Sequence, residues 1–268
     1  MTTSGFIQGC RGRLLLIARE GQKQQATIIL PPFAEEMNKC RHLFSALMRQ
    51  LEAKDHSSFL LDNYGCGDSE GDLDTASIPI WREDLLQLLI SLRDQGFREV
   101  NFIAVRFGTL LLFDLLNQVA LPLQPVQLIL WQPMFETTKF WQQFLRIKIA
   151  EAMASGSKLS QKELEQQLRE GQPLEIAGYP ISPDFFHSLL QMQTELPAIL
   201  TKTKISWFET SQLDDIALPT QRTLAKIQQV NTVNFRQLKA EPYWQTSELA
   251  EADELIRLSV QQLIGREE

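Results

Sequence analysis

The stretch Glu99-Val100-Asn101-Phe102-Ile103-Ala104-Val105-Arg106-Phe107-Gly108-Thr109-Leu110-Leu111-Leu112-Phe113 decides how the chain is read. Val100 to Val105 is a short apolar run of the kind buried on both faces of a parallel sheet, and an apolar helix follows from about Gly108. Only Arg106 and Phe107 separate the two. A strand that meets a helix at a glycine is the sharpest bend a parallel α/β sheet makes. Here the apex of that bend is an arginine, whose guanidinium stays protonated and cannot attack a carbonyl.

Upstream, residues 6 to 19 alternate apolar and polar positions around Gly9 and Arg11-Gly12-Arg13, which predicts an antiparallel hairpin at a sheet edge. Ala26 to Leu30 reads as the next strand, stopped by Pro31-Pro32. Phe33 to Asn38 then reads as a loop into a helix over Lys39 to Glu52, with Leu43, Phe44, Leu47, Met48 and Leu51 as its buried stripe. Ser58 to Asp62 is a further strand, followed by the glycine- and acid-rich loop Asn63 to Asp72 and a helix over Trp81 to Gln95. Downstream of the bend, its helix extends to about Val119 and a strand runs from Val126 to Pro133. From Phe135 to Leu200 strands vanish and helical patterns take over, at Lys139 to Ala154 and Ser160 to Glu170. Strands return at Lys204 to Glu209 and Thr232 to Leu238, and a helix over Ala250 to Ile264 closes the chain.

With 268 residues, 44% of them hydrophobic and 22% charged, the chain has ample material for a core. A net charge of −7 and the lack of a basic stripe exclude a general nucleic-acid binder. No apolar run has the length of a membrane span, and the N-terminus does not read as a signal peptide. Cys10, Cys40 and Cys66 have no metal-site spacing and cannot all pair. The expectation is a cytoplasmic protein with reduced thiols, no metal and no cofactor.

The order of these elements predicts an α/β-hydrolase fold: a mostly parallel sheet with helices on both faces and a helical cap insertion. Residues 1–134 and 201–268 would form the core domain and residues 135–200 the cap, lying over the carboxyl ends of the strands where such sheets bind ligands. In this fold the bend holds a nucleophilic serine in a G-x-S-x-G pattern; the five residues here are Ala104-Val105-Arg106-Phe107-Gly108. Glu209, Asp214 and Asp215 are available as the acid of a triad. Where the base should stand, after the last strand, the chain reads Lys239-Ala240-Glu241-Pro242-Tyr243-Trp244-Gln245, with Pro242 in place of a histidine. His42, His56 and His187 all lie elsewhere. A Ser-His-Asp triad is therefore not expected. The alternative nucleophiles are Cys66 and Ser69 in the glycine-rich loop, with Ser211 after a strand. A cysteine in that role needs a nearby cation to lower its pKa.

One segment is more specific. Pro31-Pro32-Phe33-Ala34-Glu35-Glu36-Met37-Asn38-Lys39-Cys40-Arg41 resembles a motif of the exosortase A system-associated hydrolase 2 family. Shorter similarities follow in order along nearly the whole chain, at Tyr64 to Ser69, Val105 to Gly108, Trp131 to Pro133, Phe144 to Arg146, Glu175 to Tyr179 and Pro242 to Gln245. The resemblance implies an α/β-hydrolase-like protein associated with exopolysaccharide and protein-sorting genes of Gram-negative bacteria, with arginine as the family's own elbow residue. It does not supply the missing triad.

In this fold the loop after the Leu30 strand faces the elbow. That places Glu35 and Glu36 opposite Arg106, where one carboxylate could make a two-pronged pair with the guanidinium. The expected ligand pocket is Arg106, Phe107, Glu35, Glu36, Asn38 and Tyr64, accepting a small anionic or acylated molecule such as a saccharide or lipid-linked intermediate. A protein partner in the same pathway is also compatible with the residues. The competing expectation is an ester or thioester hydrolase, or an acyltransferase, that uses Cys66 or Ser69.

Overall fold

A computed structural model describes residues 2–246 and 248–265. Its main sheet has eight strands. In chain order they are β1 (Thr2–Gln8), β2 (Arg13–Arg19), β3 (Gln22–Leu30), β4 (His56–Leu61), β5 (Glu99–Val105), β6 (Gln124–Trp131), β9 (Lys204–Ser211) and β10 (Val233–Lys239). They lie side by side in the order β1-β2-β4-β3-β5-β6-β9-β10. The β1–β2 and β2–β4 pairs are antiparallel, and every pair from β4 to β10 is parallel. The edge hairpin is therefore where the alternating pattern placed it.

Side chains alternate across the strands and divide the core in two. Ile29, Leu60, Ile103, Val105, Ile129 and Trp131 point to one face, where α1 (Glu35–Glu52) and α8 (Asp253–Ile264) cover them. Ile28, Leu30, Phe59, Phe102, Leu128 and Trp207 point to the other, under α2 (Ile78–Asp94), α3 (Phe107–Gln118) and α7 (Leu218–Gln228). The strands buried on both faces are the ones whose sequences run apolar without alternation.

Between β6 and β9 the chain makes α4 (Thr137–Ala154), α5 (Gln161–Arg169), a hairpin of β7 (Leu174–Ile176) and β8 (Tyr179–Ile181), and α6 (Pro183–Leu190). The sequence reading expected no strands here. The hairpin escaped it because each strand has three residues, too few for a period to register. Its turn is Ala177-Gly178, both at positive φ (50° and 80°), the two-residue turn that matches the twist of an antiparallel pair.

Two corners depart from ordinary backbone geometry. Ala34, between β3 and α1, has φ 53° and ψ −128°; Arg106, between β5 and α3, has φ 53° and ψ −114°. Neither is glycine, and such conformations cost of order 1–3 kcal/mol each, held in place by their surroundings. The corners belong to adjacent parallel strands, so both strained turns stand together at the carboxyl edge of the sheet. The first corner also corrects an expectation. α1 begins at Glu35, immediately after the turn, so Glu35 to Asn38 belong to a helix and not to a loop.

Candidate active site

The bend at Arg106 is fixed from both sides. Its N–H donates to the Trp131 carbonyl at 3.0 Å, and its own carbonyl accepts from Thr109 and Met134 at 3.1 and 3.3 Å. The side chain projects from the apex, and its partner is Glu36. Nε donates to Glu36 Oε2 at 3.2 Å and Nη2 to Oε1 at 2.9 Å, a fork-to-fork pair. Nη2 also lies 3.5 Å from Gln143 Oε1 on α4. The Trp244 ring covers the guanidinium, its centre 4.6 Å from Cζ, within cation–π range. The arginine side chain is 10% exposed and that of Glu36 25%.

Around this pair lies a pocket of about 590 Å³, a size usual for small-molecule sites. Phe33, Phe140 and Phe144 form its apolar wall. Phe33 is the centre of that wall, with rings of Trp81, Phe107, Phe140, Phe144 and Phe185 between 5.1 and 6.1 Å away. Lys39, Arg146 and Tyr179 also line it. Glu35 does not reach Arg106. Its Oε2 accepts from Asn38 Nδ2 at 3.0 Å and from the Tyr179 hydroxyl at 3.4 Å, tying the start of α1 to the β7–β8 hairpin. Burial and then the Glu35 carboxylate raise the Tyr179 phenol above its ordinary value.

Of the expected pocket residues, Arg106, Glu35 and Glu36 line one cavity. Asn38 and Phe107 line a smaller neighbour of about 100 Å³, which shares Phe33, Ala34 and Tyr179 with the first. Tyr64 lines neither. It is packed against Gly12 and Gly71, and its carbonyl accepts from Trp81 Nε1 at 2.8 Å.

Two of the alternative nucleophiles, Ser69 and Cys66, have no histidine beside them. The Ser69 hydroxyl donates to the Asp62 carbonyl at 2.6 Å and accepts from the Leu15 N–H at 2.9 Å, pinning the loop to β2. Cys66 borders the smaller cavity, but burial, followed by the Asp62 charge, pushes its thiol up to about 12, so the thiolate is scarce at neutral pH. No histidine serves either residue: His42 Nε2 meets the Ala250 carbonyl at 2.7 Å, His56 Nε2 meets Thr27 Oγ1 at 2.7 Å, and His187 stands beside Phe186.

Two of the residues that touch Arg106 were not placed by sequence reasoning. Gln143 sits on α4 one turn from Phe140, so a mixed apolar and amide face on that helix was the available signal. Trp244, which the sequence reading placed only in the segment after the last strand, is the ring that meets Arg106; Pro242 does not line the pocket.

The sheet order and the strained corner with its helix can be compared with known proteins. Est1E from Butyrivibrio proteoclasticus, solved with ferulic acid bound, is similar over 97% of this chain and 97% of its own, at 12% identity and a TM-score of 0.67. Alpha/beta hydrolase domain-containing protein 10 from mouse matches 97% of this chain and 96% of its own (13% identity, TM-score 0.60). A carboxylesterase of the thaumarchaeon Nitrososphaera gargenis matches 97% and 98% (13% identity, TM-score 0.60). The chain has the α/β-hydrolase fold. Identities this low establish the fold alone. No protein-family model matches the sequence, and no curated protein does.

In this α/β-hydrolase fold, Glu209 lies near the end of β9 and borders a cavity of about 140 Å³ that Arg106 also lines. Its carboxylate accepts from Trp207 Nε1 and Thr220 Oγ1, each at 3.1 Å. Asp214 and Asp215, the other acids considered, are exposed. Burial raises the Glu209 pKa above its ordinary value, opposed by the Thr220 and Trp207 hydrogen bonds and by Arg106. The folded protein thus holds this proton more tightly than the unfolded chain, and between the ordinary and the raised value stability falls as pH rises. Glu209→Gln removes that titration. Thermal unfolding across a pH series is expected to show the variant gaining on the wild type as pH rises through this window. Parallel curves would refute the assignment.

No helix among the described residues is long and apolar enough to cross a membrane. Among the same residues, no group of three or more His, Cys, Asp and Glu side chains is arranged to hold a metal ion.

Proposed function

We propose that this protein is a ligand-binding or accessory member of the α/β-hydrolase fold, with a degenerate triad, serving an exosortase/exopolysaccharide system. One observation carries the reading. The apex of the elbow, where a hydrolase holds its nucleophile, is a paired and ring-covered guanidinium. An arginine there can orient an acceptor group but has no lone pair to give. Trp244, and not a histidine, faces it from the loop after β10, which supports the reading of a degenerate triad.

The association with an exosortase system rests on the sequence resemblance, and the position of its motifs supports it. The eleven-residue segment contributes Phe33, Ala34, Glu35, Glu36 and Lys39 to the pocket. The shorter similarities contribute Arg106, Phe144, Arg146, Ala177, Tyr179 and Trp244 to the same cavity. Scattered segments that converge on one pocket are what a shared ligand would select. The ligand class that suits the lining is a small anionic or acylated molecule, a saccharide or lipid-linked intermediate among them. A protein partner in the same pathway would fit an accessory role.

The test is a screen of short-chain nitrophenyl esters and acyl thioesters with the purified wild type, Cys66→Ala and Ser69→Ala. No turnover above the buffer rate is expected. Turnover that disappears with either substitution would overturn the reading and identify the nucleophile.

A further inference from the structure

The pocket at the elbow carries three cations, Lys39, Arg106 and Arg146, against two carboxylates, Glu35 and Glu36. It is a positive site on a chain of net charge −7. Arg106 adds nothing to that surplus, because Glu36 neutralises it through two hydrogen bonds and Trp244 covers it. An anion delivered to Arg106 would have to displace Glu36 and leave that carboxylate unpaired. The unspent charge lies elsewhere. Among the described residues, neither Lys39 nor Arg146 has a carboxylate within ion-pair distance. Lys39 Nζ reaches the Gln245 carbonyl at 3.4 Å, and Arg146 is exposed.

Position separates these cations from the apolar wall. Lys39 stands on α1 and Arg146 on α4, the two helices that line the pocket, and Ile147 beside Arg146 is 40% exposed. Phe33, Phe140 and Phe144 are at most 8% exposed. The free charge is on an exposed and a half-buried side chain, which we take as the opening, and the apolar wall is buried. Moving an ionised head group to the wall would strip its water with no partner in return, whereas at the opening it keeps solvent and gains two cations.

We propose that the pocket takes a single-chain amphiphile end-on, its apolar chain inward along Phe33, Phe140 and Phe144 and its anionic head outward at Lys39 and Arg146. The proposal rests on the binding reading above and assigns that reading its ligand class and orientation. Arg106 Nη1, which donates to neither Glu36 oxygen, is left to donate to a neutral acceptor on the chain, such as a carbonyl.

Isothermal titration with octyl phosphate, octanoate and octanol tests this on the wild type, on Lys39→Gln/Arg146→Gln and on Arg106→Gln, with thermal melts to confirm folding. At low salt the wild type is expected to bind octyl phosphate at least tenfold more tightly than octanol. The rim double variant is expected to lose that preference and to bind octanol unchanged, and added salt should shrink the preference in the wild type. Octanoate that follows octyl phosphate supports recognition of any anionic head; octanoate that follows octanol supports recognition of a phosphate. Equal affinity of wild type for octyl phosphate and octanol, or a preference that survives in the rim variant, would overturn the orientation. If Arg106→Gln abolishes all binding while the rim variant matches wild type, the binding reading stands and the orientation falls. If no ligand binds the wild type, both fall.

Discussion

Gly108→Ala is expected to cost about 3 kcal/mol of stability, at the upper end of what overpacking a core usually costs. A Cβ added at Gly108 would lie 2.1 Å from the Leu30 carbonyl oxygen, 2.8 Å from its carbon and 3.0 Å from the Pro31 oxygen. These are backbone atoms of the last residue of a central strand and of the proline after it, and they cannot swing aside as a side-chain end could. Either α3 lifts from β3 or the end of β3 moves, and both shift the strained corners at Ala34 and Arg106. The better helix propensity of alanine returns no more than about 1 kcal/mol. Urea titration of wild type and variant measures the difference. A midpoint within error of wild type would mean that α3 and β3 are not held at this distance.

The second large effect concerns Arg106 itself. Arg106→Ala leaves Glu36 without its cation in a site only a quarter open to solvent. Breaking a fully buried pair costs about 3–5 kcal/mol, and with Glu36 partly solvated the expected loss is roughly 2 kcal/mol. Arg106→Gly removes the same contacts but relieves the backbone, since φ 53° with ψ −114° is open to glycine and strained for alanine. Relief of about 1–3 kcal/mol outweighs the roughly 0.4–1 kcal/mol that glycine adds to the entropy of the unfolded chain. The glycine variant should therefore be the more stable of the two by about 1 kcal/mol, the reverse of the order in a helix interior. A glycine variant less stable than the alanine variant would show that the corner is not under strain. Adding Glu36→Ala to Arg106→Ala should cost less than the two single losses together, because the pair is lost only once.

These expectations separate two uses of one corner. The shape of the elbow is a property of the backbone, set by β5, α3 and Gly108. What the corner can do is set by the side chain at its apex and its neighbours. An arginine held by Glu36 and Trp244 presents donors to a pocket lined by phenylalanines, and the proposed binding role rests on that composition.

Much of this architecture was legible in the residues because its causes are local. The apolar run Val100 to Val105 has no polar face to turn to solvent, Pro31-Pro32 removes the donors a central strand needs, and Gly108 marks the close approach of helix to strand. Their order along the chain gives a parallel sheet with an antiparallel edge, which is the sheet observed. The pairing of an arginine at the bend with a glutamate after β3 was legible for the same reason, since adjacent parallel strands bring their following corners together.

The choice between neighbours was not local, and only the tertiary structure made it. Consecutive residues on an α-helix point about 100° apart. Once α1 starts at Glu35, Glu36 turns to Arg106 while Glu35 turns to Asn38 and Tyr179, and that start depends on the strained corner at Ala34, which no residue type announces. Trp244 meets the guanidinium because the segment after β10 folds back over the elbow, a path set by Tyr243, which packs against both Trp131 and Trp244. The three-residue strands that carry Tyr179 to the pocket hold together by pairing with each other and are too short to leave a period in the sequence. By itself, then, the sequence determined the order and type of the main-sheet strands and of α1 to α5 and α8, because burial and turn chemistry act over a few residues. Which side chains meet at the elbow was decided by helix phase and loop path, which exist only when the elements are packed.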